Sequence, residues 1–138
     1  QVNDQVRDFH AKRIAAALVT VHPGGLRELH WHPNADEWQY WIKGKGRMTV
    51  FNTGPNAVTM DFNPGDIGYV KRAQGHYVEN TGDTDLMVLE VFRSDRFEDV
   101  ALSDWLSHTP PALVAQHLNL DTSTIRRIPN DKPLVMPD

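Results

Sequence analysis

His30 and His32 stand two residues apart in the run Leu26-Arg27-Glu28-Leu29-His30-Trp31-His32, and Glu37 follows shortly after. The run reads as a strand, and side chains two apart on a strand share a face, so both imidazoles can reach one point. Pro33-Asn34-Ala35-Asp36 supplies turn-forming residues, after which Glu37 opens a second, aromatic-rich strand and returns a carboxylate beside the two rings. Two histidines flanking a tryptophan often mark nothing more than an exposed strand. Here a third imidazole, His76, begins a later strand behind a Pro64-Gly65-Asp66 turn and the short run Ile67-Gly68-Tyr69-Val70. Three imidazoles and one carboxylate make a mixed nitrogen and oxygen set that suits manganese, iron, nickel or zinc and leaves positions open for a substrate. His10, His22, His108 and His117 lack such spacing and read as surface or helix-packing residues.

Gly24, His30, His32, Glu37 and Gly44 match position for position the first motif of the cupin superfamily, which runs Gly, five residues, His-x-His, three or four residues, Glu, six residues, Gly. Gly65, His76 and Asn80 match the ends of the second motif, but Lys71 and Ala73 stand where its middle usually has Pro and Gly. The resemblance extends over nearly the whole chain to the oxalate decarboxylases, and most to their second, C-terminal cupin domain. It implies manganese held by His30, His32, Glu37 and His76, an oxalate anion bound by Arg27, and a glutamate near the metal at Glu90. It also implies a reaction in which oxalate, with dioxygen as a co-catalyst, loses a proton and an electron, splits off carbon dioxide and leaves a fragment that is protonated to formate. The family's first domain carries a Ser-Glu-Asn lid glutamate for this last step. Here the corresponding segment, RSDRFEDVALSDWL, is shorter and lacks it, as the second domain does, and Glu98 is only a weak substitute. Three functions therefore compete: an oxalate decarboxylase or its C-terminal half, an oxalate oxidase or other cupin oxygenase, and a non-catalytic metal-binding or assembly domain.

Two of these residues raise a question of facing. Arg27 lies three residues before His30, so strict alternation would put it on the opposite face, and its use as an anion ligand requires a bulge near Glu28. Glu90 shares a face with Leu86, Val88 and Phe92, while Met87, Leu89 and Val91 make an equally apolar opposite face. Pattern does not choose between them. Pointing inward, Glu90 would be poorly solvated, its pKa would rise, and it could hold or deliver a proton.

The elements that must position these groups are short strands separated by turn signals. Strands are predicted over 14–21, 26–32, 38–43, 47–52, 58–62, 67–70, 76–80 and 86–92, with turns at Gly44-Lys45-Gly46, Gly54-Pro55-Asn56, Asn63-Pro64-Gly65-Asp66 and Thr81-Gly82-Asp83. Many short strands with no helix between them predict an all-β antiparallel sandwich or barrel, and the jelly roll is the member of that class that cupins occupy. Residues 1–12 read as a polar arm or edge segment. Beyond Phe92, short helices are predicted over 102–109, with Ser103 as N-cap, and over 111–118, with Pro111 in the first turn. Leu102, Trp105 and Leu106 give the first helix an apolar stripe, and residues 125–138, with three prolines, read as an extended tail.

The chain of 138 residues has room for a single cupin domain over 1–138, with a core barrel near 14–93 and a helical extension near 99–138. No apolar run approaches the roughly 20 residues that span a bilayer, so no membrane partner is expected. A net charge of -4 with no basic stripe argues against nucleic acid, and an anionic substrate must be drawn in locally by metal and arginine. No cysteine is present, so neither disulfides nor thiolate chemistry operate. The start at Gln1 rather than Met reads as a processed product or a piece of a longer protein. The absence of an Asn-x-Ser/Thr sequon mildly disfavours a glycosylated secreted form, and cytoplasm and exterior both stay open. Expected partners are a small carboxylate such as oxalate and either further copies of the chain, in a homo-oligomer, or a companion N-terminal cupin domain.

Overall fold

The computed structural model describes residues 7–10, 13–131 and 134–136. Eleven strands form among them: β1 (Arg7–His10), β2 (Ala15–Val21), β3 (Leu26–Trp31), β4 (Glu37–Lys43), β5 (Gly46–Phe51), β6 (Ala57–Phe62), β7 (Ile67–Val70), β8 (His76–Asn80), β9 (Leu86–Phe92), β10 (Val100–Ala101) and β11 (Val135–Met136). Three short helices, α1 (Leu102–Ser107), α2 (Pro111–Leu118) and α3 (Thr122–Ile125), follow the main run of strands. All strand pairings are antiparallel. One sheet runs β1-β2-β9-β4-β7 and the other β10-β3-β8-β5-β6, with β11 also paired to β3. This is the predicted all-β antiparallel architecture.

Period-2 burial shows how the sheets face one another. On β2, Ala15, Ala17, Val19 and Val21 are buried and alternate with half-buried neighbours; on β9, Leu86, Val88, Glu90 and Phe92 do the same. The inner faces meet in a core of Val19, Val21, Trp41, Leu86 and Val88 from one sheet against Met48, Phe62 and Val78 from the other. Trp41 stacks on Phe62 with ring centroids 4.3 Å apart and nearly parallel planes. A smaller cluster of Ala15, Ala35, Phe92 and Phe97 closes the opposite end of the interior. Glu37, in register with Phe92, and His32, packed on Phe92 and Phe97, lie beside this second cluster.

The glycines and asparagine of the motifs have structural reasons. Gly44 has φ +81°, a left-handed conformation, and a Cβ there would come within 2.7 Å of the Asp85 carbonyl oxygen. Buried Asn80 donates its amide to the carbonyls of Val21 and Thr84, both at 2.8 Å, tying the β8 end to β2 and to the turn before β9.

Several boundaries differ from expectation. Glu37 lies inside β4 because its backbone pairs with Val70 on one side and Phe92 on the other, whereas His32 falls just past the end of β3. Ser103 is not the N-cap of α1: Ala101 holds that position, without a side-chain cap, and the Ser103 hydroxyl reaches Glu28 instead. Pro111 does open α2 as predicted. The tail is not simply extended. Residues 122–125 form α3, and Val135–Met136 pairs with Arg27 and Leu26 of β3, because the β3 edge beyond β10 otherwise has unpaired backbone groups. Within the predicted N-terminal arm, Arg7–His10 is an edge strand on β2, and residues 1–6 and 11–12 lie outside the described residues, as do 132–133 and 137–138 of the tail.

Candidate metal centre

His30 and His32 come from β3 and its end, Glu37 from the first position of β4, and His76 from the first position of β8. The sheet pairing His30↔His76 brings two of the rings side by side, with centroids 4.2 Å apart. The second sheet brings Glu37 across the interior. One ligating atom from each of His30, His32, Glu37 and His76 lies within 4.8 Å of all the others, and the four residues are between 1% and 4% exposed.

The hydrogen bonds around this cup leave its inward atoms free. Nδ1 of His30 faces the Glu28 carbonyl at 2.6 Å, Nδ1 of His32 the Glu98 carbonyl at 2.8 Å, and Nδ1 of His76 the Gln74 carbonyl at 3.0 Å. A carbonyl only accepts, so each Nδ1 carries a hydrogen and, in the neutral ring, Nε2 keeps its lone pair. Nε2 of all three rings and Oε2 of Glu37 are buried without a hydrogen-bond partner. Glu37 Oε2 nevertheless stands 3.1 Å from His32 Nε2 and 2.8 Å from His76 Nε2, so lone pairs face lone pairs unless a proton or a metal cation lies between them. Burying so many acceptors around one point fits a divalent cation.

The electrostatics agree. Burial pushes His30 well below its ordinary pKa, with the Arg27 charge next in effect, so this ring stays neutral and able to ligate. Burial alone would also lower His32, but the Glu37 carboxylate 3.1 Å from its Nε2 outweighs it and raises the value. Burial would raise Glu37, but His32 and His76 draw it well below the usual carboxylate range, so it remains an anion. The second oxygen of Glu37 accepts from Gln39 Nε2 at 2.8 Å. Gln39, two residues on along β4, is equally buried and fits because Gly68 opposite has no side chain: a Cβ there would stand 2.5 Å from Gln39 Oε1. Gln39 was not singled out from sequence, although its spacing of two from Glu37 placed it on the same inward face.

Arg27 is fully buried. The register of β3 against β8 shifts between Arg27↔Val78 and His30↔His76, the bulge predicted near Glu28, and Arg27, Glu28 and His30 are all buried. Arg27 is 0% exposed and its guanidinium pairs with Asp99, with Glu28 Oε1 at 3.6 Å and the Leu134 carbonyl at 3.5 Å. Asp99 as its partner was not anticipated.

Glu90 also faces inward, which resolves the ambiguity of its strand: it is 1% exposed and pairs in register with Ala17 and Gln39. Burial, with the Glu37 charge second, pushes its pKa up to about 8 despite the lowering influence of Arg27. Its alternative, Glu98, sends its side chain outward to Arg96, and only its backbone carbonyl touches the cup. Phe92 and Phe97 pack on the His32 ring at 4.6 Å and 5.5 Å and keep that flank apolar.

A family profile described as cupin matches residues 5–126. Oxalate decarboxylase OxdC of Bacillus subtilis is 56% identical over 110 residues, covering 80% of this chain and 29% of its own length. An oxalate decarboxylase of Arthroderma benhamiae is 43% identical over 127 residues, covering 91% of this chain and 30% of its own. A solved structure of Bacillus subtilis oxalate decarboxylase, studied for its Mn(II) centres, superposes with a TM-score of 0.89 at 50% identity, covering 92% of this chain and 34% of that one. The chain thus spans about three tenths of the length of these curated relatives. With two antiparallel sheets enclosing a three-histidine, one-glutamate cup and a profile match over most of its length, this chain belongs to the cupin family.

Proposed function

We propose that this chain is the cupin unit of a manganese-dependent oxalate decarboxylase, converting oxalate to formate and carbon dioxide, and that it corresponds to the C-terminal half of such an enzyme. The observation that carries this reading is one buried interior containing the four convergent ligand atoms, an inward arginine and an inward glutamate held neutral. The similarity to oxalate decarboxylases, one of them with Mn(II) centres, supports the choice of substrate and metal.

Nε2 of His30, His32 and His76 and Oε2 of Glu37 would hold the ion. When bound, manganese supplies Lewis acidity toward a carboxylate and a one-electron redox couple. Arg27 presents a planar cation able to grip a carboxylate through two hydrogen bonds, and its burial strengthens that grip by excluding water. Glu90, protonated up to about pH 8, keeps a hydrogen in the interior. The reaction breaks the carbon–carbon bond of hydrogen oxalate, releases one carbon as carbon dioxide and needs a proton on the other to give formate. Glu90 would supply that proton, and the acidic proton of the incoming substrate would restore it. Gln39 holds Glu37 in orientation, and Phe92 and Phe97 limit water beside His32.

Loading the purified chain with manganese, supplying dioxygen and oxalate, and measuring formate, carbon dioxide and hydrogen peroxide together tests the proposal. Equal formate and carbon dioxide without peroxide is expected. Peroxide with carbon dioxide alone would instead identify an oxidase. A second reading, a metal-binding assembly domain without turnover, is favoured by one observation: Arg27 is already paired with Asp99. Metal uptake without any product would establish it.

A further inference from the structure

Three consecutive residues between β9 and β10 touch the cup. The Phe97 ring packs on His32, the Glu98 carbonyl accepts from His32 Nδ1 at 2.8 Å, and the Asp99 carboxylate takes the Arg27 guanidinium. Arg27 is 0% exposed on its side chain and Asp99 14%, so this is a buried pair reached from one edge. We propose that Asp99 is an internal stand-in for substrate: its carboxylate occupies the seat on Arg27 that a small carboxylate ligand takes, and ligand enters by displacing it. The inference rests on the reading of Arg27 as the carboxylate anchor.

The physical reason is charge conservation in a desolvated place. Removing one partner of a buried ion pair is strongly destabilising, because it leaves an uncompensated charge in low dielectric. Without Asp99, Arg27 would keep, among the described residues, the Glu28 carboxylate in ion-pair range at 3.6 Å and the Leu134 carbonyl at 3.5 Å, both longer than a good hydrogen bond, and its Nε is already unpartnered. The contact to Asp99 is therefore favoured when no ligand is present. A carboxylate arriving from solution replaces one carboxylate by another, so the pair is preserved throughout the exchange. Asp99 then moves toward solvent, where its charge is well hydrated. A neutral molecule of the same size cannot make this trade, so the exchange selects for anions as well as delaying entry.

Chemical rescue tests this without metal or turnover. In the metal-free chain, Asp99→Ala should melt below wild type, and formate or acetate at millimolar concentration should restore the loss, while sodium chloride at equal ionic strength should not. Wild type and the double variant Asp99→Ala, Arg27→Gln should not respond. Asp99→Asn, which keeps the side-chain volume, serves if the alanine variant fails to fold. In the manganese-loaded protein, calorimetric titration should show oxalate binding at least about tenfold tighter to Asp99→Asn than to wild type, a gain equivalent to about 1.4 kcal/mol. No carboxylate-specific rescue, together with unchanged or weaker oxalate binding, overturns the proposal and leaves Asp99 as a support for Arg27. Rescue by acetate without oxalate binding would uphold the exchange and refute oxalate as the ligand. Oxalate binding without rescue or tightening would do the reverse.

Discussion

Glu37 Oε2 stands 2.8 Å from His76 Nε2, and the other ring nitrogen of His76, Nδ1, is bound to the Gln74 carbonyl. Two acceptors held this close by separate sheets require a proton or a metal cation between them, and the four converging ligand atoms fit the metal. His76→Ala is therefore expected to lower manganese content sharply in the purified protein, measured by elemental analysis. A variant retaining a full equivalent would refute the four-ligand centre. Chelation of wild type should lower its melting temperature, because an ion bound only by the folded state at 100 times its Kd contributes about 2.7 kcal/mol.

Glu90 and Glu98 separate cleanly on position, one buried on β9 and the other turned outward to Arg96. Glu90→Gln should retain manganese and lose about a hundredfold or more of formate production, the usual cost of removing a general acid, whereas Glu98→Gln should change it little. Equal losses in the two variants, read by a formate assay at saturating oxalate, would contradict the assignment of the proton to Glu90.

The raised pKa of Glu90 has a consequence for stability. In the unfolded chain this group ionises near its ordinary value of 4.5, but in the folded, metal-free protein it holds its proton to about 8. Its contribution to stability is therefore fully present below pH 4.5 and is lost progressively as pH rises to about 8. Denaturant unfolding of the metal-free protein should show Glu90→Gln gaining on wild type across that window. A constant difference between the two would mean that Glu90 is not held neutral.

Ala73 occupies the glycine position of the second motif and has φ 64°, where a Cβ crowds the backbone. Its amide donates to the His32 carbonyl at 2.9 Å, so the conformation is held in place by the loop's attachment to the end of β3. Ala73→Gly should relieve that strain and stabilise the protein by about 1 kcal/mol. Urea unfolding gives the sign directly, and a loss of stability would show that the Ala73 methyl contributes more by packing than it costs in strain.

The outer face of β4 and β7 exposes Trp38, Tyr40, Ile42, Ile67 and Tyr69, and Trp105 on α1 is 62% exposed, whereas Val114 on α2 is buried against Ala115 and Ile125 of its own chain. Self-association is therefore expected through the sheet face or Trp105 rather than through α2. Light scattering at micromolar concentration should give a mass above that of one chain, and a monomer mass would refute it.

The ligand set was legible in the sequence because its geometry is local: His30 and His32 share a strand face, and Glu37 and His76 each follow a turn that the sequence spells out. The strands were legible for the same reason, since alternation and turn residues act over a few positions. Three decisions belonged to the tertiary structure. Glu90 had two equally apolar faces to choose from, and only pairing with β2 and β4 aimed it inward, where burial holds its proton. Arg27 needed a bulge whose place depends on β8, a strand some fifty residues later. Asp99 met Arg27 through a chain reversal 72 residues long, and neither residue carries a local mark of the other. Periodicity reports which way a side chain points along its own strand; which groups then become buried together depends on strand partners distant in sequence.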